Sequence, residues 1–229
     1  MNNLDRRHFL KASTSGLLVV SFPFSELAQA ATPLGLTPAK SVAKDALDTW
    51  LSIDRQNQVT IYVGKVDLGT GTKTALAQIA AEELSVPFHH IHMVMGDTGT
   101  TPDQWITGAA LTIQQGGSEL RVAAASARAA LIARAAQQWQ VPAAQLKVVD
   151  GQVIDTLAPS RQLSYGALIG QGFELKVDPK AMLKPHTDYA VVGRSIPRVD
   201  IPAKVSGEHP YEHDFKLPNM LHARVIRST

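Results

Sequence analysis

The hydrophobic pattern of the chain begins with short alternating segments. Residues 49–53 and 58–63 alternate apolar with polar side chains, and the polar run 54–57 separates them. This arrangement predicts a β-hairpin. The segment 90–95 alternates in the same way and predicts another strand. The pattern therefore predicts a small sheet near the start of the folded part.

Two longer segments have the spacing or composition of helices. Residues Thr72–Leu84 place apolar side chains on one face, and Glu82 and Glu83 are expected to face solvent. Residues Ser118–Trp139 are rich in alanine and contain no glycine or proline. They predict a helix that packs closely on its neighbours.

Shorter elements complete the pattern. Segments 146–149 and 152–154 predict strands, 163–169 predicts a short helix, and 221–226 predicts a further strand. The strand predicted over 221–226 has no predicted neighbouring strand, which would leave its backbone groups unpaired. We therefore expect this chain to be the first part of a larger protein or one piece of an assembly. The mixture predicts an α+β fold.

The first 31 residues have the features of an export signal. The segment 5–11 carries the pair Arg6 and Arg7, a modest apolar run follows, and residues 28–30 form a small-x-small cleavage pattern. The pair resembles a twin-arginine signal, whereas an ordinary secretory signal or a basic tail are the alternatives. The apolar run is shorter than the roughly 20 residues that span a bilayer. We expect an exported, periplasmic protein without a transmembrane segment.

Charge and cysteine content exclude several classes of site. The 22 basic and 20 acidic side chains leave a net charge of +2, which argues against a nucleic-acid binder with its basic stripe. The chain has no cysteine, so it holds no disulfide, thiolate zinc site or cysteine-ligated iron–sulfur cluster. Redox chemistry would need a cofactor held by other groups.

Two glycine-containing turns precede the two long predicted helices. Gly69-Thr70-Gly71 allows a tight turn, and the amides of a helix start favour an anion such as phosphate. The sequence matches neither the dinucleotide fingerprint nor a P-loop, and a plain strand-to-helix turn is the alternative.

The second turn spans residues 107–117. Ser118 is a possible N-cap there, and Glu119 would lie near the positive end of the helix dipole. Two such turns would hold the two ends of an elongated phosphate-bearing ligand. The alternative is that Gly116 and Gly117 merely link two helices.

Other candidate residues favour structural roles. Only His90 and His92 of the histidines at 89, 90 and 92 would share a strand face, so exposed strand histidines are favoured over a metal site. Asp97 and Asp103 flank a turn-rich loop and are predicted to be Asx-turn residues rather than catalytic acids.

The stretch 64–84, Gly-Lys-Val-Asp-Leu-Gly-Thr-Gly-Thr-Lys-Thr and the helix after it, resembles the molybdenum-binding subunit of the xanthine dehydrogenase/aldehyde oxidase family. Residues 96–103 and 107–117 continue the resemblance in order. Residues 192–207 and 217–227 are similar to the opening of that family's a/b hammerhead domain. The order of segments resembles the isoquinoline 1-oxidoreductase beta-subunit branch.

This resemblance implies a domain plan and an activity. It implies a molybdopterin-binding domain segment over 32–181, a connector over 182–204 and the beginning of a hammerhead domain over 205–229. The family hydroxylates aldehydes or N-heteroaromatic rings with oxygen from water. Its cofactor is molybdenum in a molybdopterin, commonly the cytosine dinucleotide form. Partners implied are an iron–sulfur small subunit and the remainder of the large subunit or a companion chain.

The resemblance also implies cofactor-binding positions. The loop that corresponds to Gly69, Thr70 and Gly71 approaches the cofactor, although many relatives carry glutamine where Thr70 stands. The matching region that holds the pterin and phosphate portion comprises Ala109, Ala110 and Thr112.

No catalytic or metal-ligating residue is implied for this sequence. The family's Gly-rich Pro-Gly-Gly-Gly-Phe-Gly segment and its catalytic glutamate lie beyond the last residue. We therefore expect the chain alone to be inactive. The alternative is a non-catalytic exported binding or assembly module, or a truncated remnant of such an enzyme.

Overall fold

A computed structural model describes residues 43–169 and 175–227. The predicted twin-arginine signal lies outside these residues. The chain divides into two compact units between Ser195 and Ile196. The domain limits expected from the sequence, including the connector over 182–204, stay predictions.

The first sheet contains the predicted hairpin. Its strands are β1 (Leu51–Ile53), β2 (Val59–Val63) and β3 (Ile91–Met95), in the order β1-β2-β3. β1 and β2 are antiparallel, whereas β2 and β3 are parallel, with Ile61 beside Met93. A parallel pair needs a crossover connection, and helix α1 (Thr72–Leu84) provides it.

The α-helical parts of the two long helices span the predicted residues, and a π-helical turn over Thr112–Gly117 extends the second of them at its start. α1 spans Thr72–Leu84 and packs against β3 and against α2, which spans Ser118–Trp139. The residues that α2 buries are mostly alanines. Small side chains let helix axes approach closely, which explains why this helix packs as the sequence predicts. The core lies between these helices and the first sheet.

A second sheet follows as an antiparallel meander. Its strands are β4 (Leu146–Val149), β5 (Gln152–Asp155) and β6 (Gln162–Ser164). Helix α3 covers only Tyr165–Ile169, so the expected helix over 163–169 is wrong at its first residues. Leu163 pairs instead with Val153 in the sheet, because the tertiary pairing overrides a local helical pattern.

The expectation that Glu82 and Glu83 face solvent is wrong. Each is 1 % exposed. Glu83 accepts hydrogen bonds from Arg121 Nε at 2.6 Å and from Arg128 at 3.2 Å, both on α2. Glu82 accepts one from Lys184 Nζ at 2.8 Å. An ion-pair network therefore lies on the face of α1 that was expected to contact solvent.

Glu82 also fixes the segment 184–194, which we call the strap. The carboxylate oxygen Oε2 accepts hydrogen bonds from the consecutive amides of Ala190, Val191 and Val192, at 2.8, 2.6 and 3.0 Å. Burial by itself raises the pKa of Glu82, but Lys184 and these amides outweigh it and hold the pKa below its usual range. The strap is thus fastened to α1 through an ionised carboxylate.

Among its described residues up to 227, the second unit contains one short α-helix, α4 (Ile201–Ser206), and a 3-10 turn over Glu212–Asp214. The strand expected over 221–226 does not form there, and Leu221, Val225 and Ile226 are largely exposed. The described part of this unit offers no neighbouring strand for its backbone groups. The expected strand is therefore wrong for the chain as described.

Mixed sheets and separate helices confirm the α+β class. Across residues 43–169 and 175–227, none of the helices combines the length and apolar character needed to cross a bilayer.

Candidate functional site

The segments that lead into the two turns predicted to bind a ligand lie side by side. The amide of Val66, just before the first turn, donates a hydrogen bond to Thr107 Oγ1 at 3.0 Å. Lys65 Nζ donates to the carbonyl oxygen of Ile106 at 2.6 Å. The fold thus brings together two segments that are about 40 positions apart in sequence, as an elongated ligand would require.

The amides of the first turn are already bonded within the chain. Asp67 Oδ1 accepts hydrogen bonds from the amides of Gly69 at 2.9 Å and Gly71 at 3.1 Å, and Oδ2 accepts one from Lys73 at 2.9 Å. Burial raises the pKa of Asp67, but these amide bonds outweigh it and lower the pKa overall. The expectation of free amides at this turn is therefore wrong.

The outer face of the first turn is open. Gly69 has φ +90°, and a Cβ added to it would meet no atom within 4 Å. Thr70 is exposed beside it. The hydroxyl oxygen of Thr72 is buried and has no hydrogen-bond partner among the described residues. A ligand can approach this turn closely along its backbone, but not through the amides that Asp67 holds.

The second turn is strained and exposed. Ala109 and Ala110 have backbone φ values of 50° and 59°, which residues other than glycine rarely adopt. Both residues are exposed. Such strain is concentrated at functional sites, where the surrounding structure enforces it. Thr112, the other residue expected here, is buried with 6 % exposure.

The helix after the second turn begins earlier than the sequence predicts. Residues Thr112–Gly117 form a π-helical turn that continues directly into α2. Ser118 is therefore not an N-cap, and its hydroxyl donates to the carbonyl of Gln114 at 2.7 Å. Gly116 and Gly117 lie inside a continuous helix rather than between two helices.

Among the described residues, the N-cap position of this continuous helix is Leu111, which forms no side-chain cap and whose own amide donates to the carbonyl oxygen of Gly108 at 2.9 Å. The uncapped amides of a helix start carry partial positive charge, which favours an anion. The residues present therefore fit an anionic cofactor at the second turn. At the first turn they fit only close approach of a ligand to Gly69.

Sequence reasoning missed three residues that shape this site. Asp67 has a weak signal, because an aspartate two residues before a glycine often bonds nearby amides. Lys65 and Gln104, which are buried between the two turns, have no signal in the sequence. Their contacts depend on residues about 40 positions away.

The remaining candidates take structural roles. Asp97 accepts a hydrogen bond from the amide of Gly99, and Asp103 accepts one from Trp105, which confirms both Asx turns. His92 is exposed on β3, whereas His90 lies in the 3-10 turn Phe88–His90 before that strand, so the expectation that the two share a strand face is wrong. Among the described residues no group of three histidine, cysteine or acidic side chains is placed to hold a metal ion.

A separate cavity of about 210 Å³ lies where α1, the start of α2 and the strap meet. Its polar lining consists mainly of Glu82, Glu83 and Arg121. These groups are already engaged in the ion pairs and hydrogen bonds between α1, α2 and the strap, so the cavity belongs to the fastening of the strap.

Comparison with known proteins shows the family of this chain. Residues 26–204 match the family described as a molybdopterin cofactor-binding domain. The chain is 42 % identical over 224 residues to a subunit of nicotinate dehydrogenase from Pseudomonas putida, covering 96 % of this chain and 18 % of that protein. It is 28 % identical over 263 residues to the beta subunit of isoquinoline 1-oxidoreductase from Brevundimonas diminuta, covering 97 % and 33 %. The chain thus spans between about a fifth and a third of the length of these curated relatives.

A solved structure, reconstituted CO dehydrogenase from Oligotropha carboxidovorans, is similar with a TM-score of 0.49 and 24 % identity. The likeness covers 58 % of this chain and 18 % of that one. The family match extends over more than half of the chain and includes both turns. The chain therefore belongs to the molybdopterin cofactor-binding domain family, within the xanthine dehydrogenase/aldehyde oxidase group of molybdenum hydroxylase large subunits.

Proposed function

We propose that this chain forms part of the cofactor-binding wall of an exported molybdenum hydroxylase that oxidises aldehydes or N-heteroaromatic compounds. The single observation that carries the proposal is the adjacency of the two turns, with Val66 N and Thr107 Oγ1 3.0 Å apart. Two curated relatives named for nicotinate and isoquinoline support an N-heteroaromatic substrate.

The two turns take different parts of the cofactor. We assign the phosphate-bearing part to the exposed turn at Ala109 and Ala110 and the uncapped helix start at Thr112, where amides favour an anion. Gly69 admits the cofactor to close contact because its side-chain position is open. When bound, molybdenum in the molybdopterin supplies the redox chemistry that transfers a water-derived oxygen.

The chain supplies binding residues rather than the catalytic base. A base must be free to reach a proton, and Glu82 and Glu83 are buried in ion pairs. Glu119 accepts a hydrogen bond from Gln104 at 2.7 Å. We therefore propose that the chain by itself does not turn over substrate, and that the base belongs to the rest of the large subunit or a companion chain.

Further features of the proposal come from the sequence. The Arg6-Arg7 pair supports export of the folded, cofactor-loaded protein to the periplasm by the twin-arginine route. The absence of cysteine supports an iron–sulfur partner subunit as the electron acceptor. We propose the cytosine dinucleotide form of the cofactor on the strength of the family resemblance.

Ala110→Asp tests the assignment of the second turn. Aspartate tolerates a positive φ, so the variant should fold, but its carboxylate would repel a phosphate. We expect the pterin content of the full chain, produced with its companion polypeptides, to fall by about tenfold or more. Pterin, molybdenum and released cytidine monophosphate would be measured per mole of protein.

The matched control is Ala144→Asp, an exposed alanine in the turn before β4. It adds the same charge away from both turns and should leave pterin content unchanged. Full pterin content in Ala110→Asp would contradict the assignment. Aldehyde or N-heteroaromatic oxidation by this chain alone would contradict its non-catalytic role.

A further inference from the structure

A buried lysine lies beneath the second turn. Lys65 follows β2 by two residues and is 0 % exposed. Its Nζ donates hydrogen bonds to the carbonyl oxygens of Gln104 at 2.5 Å and Ile106 at 2.6 Å. These two carbonyls flank Trp105, whose φ is 61°. The ammonium group therefore holds the backbone that leads into the turn.

Gln104 reinforces the same connection from the other side. Its Oε1 accepts a hydrogen bond from the amide of Gly64 at 3.1 Å. Its Nε2 donates to the carbonyl of Gly116 at 3.3 Å and to Glu119 Oε2 at 2.7 Å. The segment before the turn is thus bonded both to the end of β2 and to the continuous helix.

The environment of Lys65 is unusual for a buried charge. Within residues 43–169 and 175–227, its ammonium forms no ion pair with a carboxylate, and its hydrogen bonds go to backbone carbonyls. Burying a lysine in this way costs free energy that only good hydrogen bonds offset. The two bonds to residues 104 and 106 therefore fix this backbone strongly.

We propose that Lys65 is a positioning residue that sets the cofactor-binding conformation of the turn at Ala109 and Ala110 before the cofactor binds. The inference rests on the proposed function for its consequence, which is cofactor binding. Its structural part, that the Lys65 ammonium holds the backbone at residues 104–106, stands on the hydrogen bonds alone. These two parts are measured separately.

Lys65→Met tests the structural part, because methionine keeps most of the apolar stem and removes the donors. Hydrogen exchange of the full chain would be followed by mass spectrometry. Within 104–111 the bonded amides of Trp105 and Leu111 report on this backbone, and we expect their exchange to rise by about tenfold or more, since two charge-assisted bonds are lost. Lys147→Met, at an exposed lysine of β4, should leave these amides unchanged. Wild-type exchange at 104–111 in folded Lys65→Met would overturn the proposal.

A glycine pair tests the same point without removing the lysine. A Cβ on Gly116 would lie 3.0 Å from Lys65 Cγ, whereas a Cβ on Gly117 would lie 3.0 Å from Ile79 Cδ1. The nearest contact is thus equally close in Gly116→Ala and Gly117→Ala, but only the first meets the Lys65 stem, together with Gln104 Nε2 at 3.4 Å. We expect several-fold faster exchange at 104–111 in Gly116→Ala alone. Equal effects in the two variants would overturn the proposal. This comparison can be made even if Lys65→Met does not fold.

The role of the charge is tested by chemical rescue. Lys65→Cys places a single cysteine in a chain that otherwise has none. Alkylation in denaturant with 2-bromoethylamine restores an ammonium, and 1-bromopropane gives an uncharged arm of similar length. After refolding, only the ammonium arm should return exchange at 104–111 to about the wild-type rate. Equal protection with the propyl arm would overturn the role of the charge.

Pterin content separates this inference from the proposed function. Lys65→Met should retain several-fold less pterin than wild type, and Lys147→Met should retain as much. If wild type retains no pterin, the proposed function fails, while the exchange results still decide whether Lys65 holds the turn. If Lys65→Met loosens the turn but retains full pterin, Lys65 is structural and the positioning role is wrong.

Discussion

The two turns that precede α1 and α2 differ in what their backbone amides do. At the first turn, Asp67 supplies a carboxylate that accepts the amides of Gly69, Gly71 and Lys73. At the second turn, the position before Thr112 is Leu111, whose side chain cannot accept a hydrogen bond, and within the described residues it provides no such cap. A glycine-containing turn before a helix is therefore not in itself an anion site. Such a turn is open to an anion only where no carboxylate of the chain itself accepts its amides.

Near the C-terminal end of α1, a side-chain carboxylate again accepts several backbone amides. Glu82 accepts three consecutive amides of the strap, as Asp67 accepts amides of the first turn. Both carboxylates satisfy donors that would otherwise need water or a ligand. In contrast to these two sites with internal acceptors, we propose that the helix start after the second turn is open to an external anion.

The largest expected effect comes from Glu82→Gln, which removes the charge that fastens the strap. Breaking a buried ion pair leaves Lys184 without its partner, so the free energy of unfolding should fall by about 3 kcal/mol or more. Urea unfolding at neutral pH would measure this, with exposed Glu208→Gln as the control. A fall similar to that of the control would show that Glu82 does not hold the strap.

Asp67→Ala should have a smaller effect on stability. It should also leave the amides of the first turn without a carboxylate acceptor, as at the second turn. Loss of a carboxylate that accepts several amides should lower the free energy of unfolding by about 1–2 kcal/mol. The freed amides should then bind pyrophosphate, which a thermal shift or calorimetry would detect. Asp48→Ala, at an exposed aspartate, should do neither. Unchanged pyrophosphate binding in Asp67→Ala would show that freed amides alone do not make an anion site.

The smallest expected effect is the pH dependence of the Asp67 contribution. The folded-state pKa of Asp67 lies below its unfolded value, so its stabilisation is complete above the unfolded pKa of about 3.9. It is lost as the pH falls through the lowered folded-state pKa. The stability difference between wild type and Asp67→Asn should therefore narrow as pH falls from about 6 to about 3. A difference that stays constant over this range would show that the Asp67 charge does not stabilise the turn.

Local pattern was sufficient for most elements of the first unit. The helix bounds Thr72–Leu84 and Ser118–Trp139 were predictable because periodicity and alanine content extend over several turns. The hairpin of β1 and β2 was predictable because two alternating segments flank a short polar run. The expected strand over 221–226 failed because a strand needs a partner, which its own residues do not provide.

The sequence by itself determined most helices and strands of the first unit, though not β6 or the π-helical turn over Thr112–Gly117, and it determined which two turns lead into the long helices. Only the tertiary structure decided that Glu82 is buried, that the Gly69 turn is filled by Asp67, and that Lys65 lies beneath the Ala109 turn. Helix and strand patterns are set by neighbours within a few residues. The partner of a charged group is set by folding, which brings Glu82 to an amide 109 positions away.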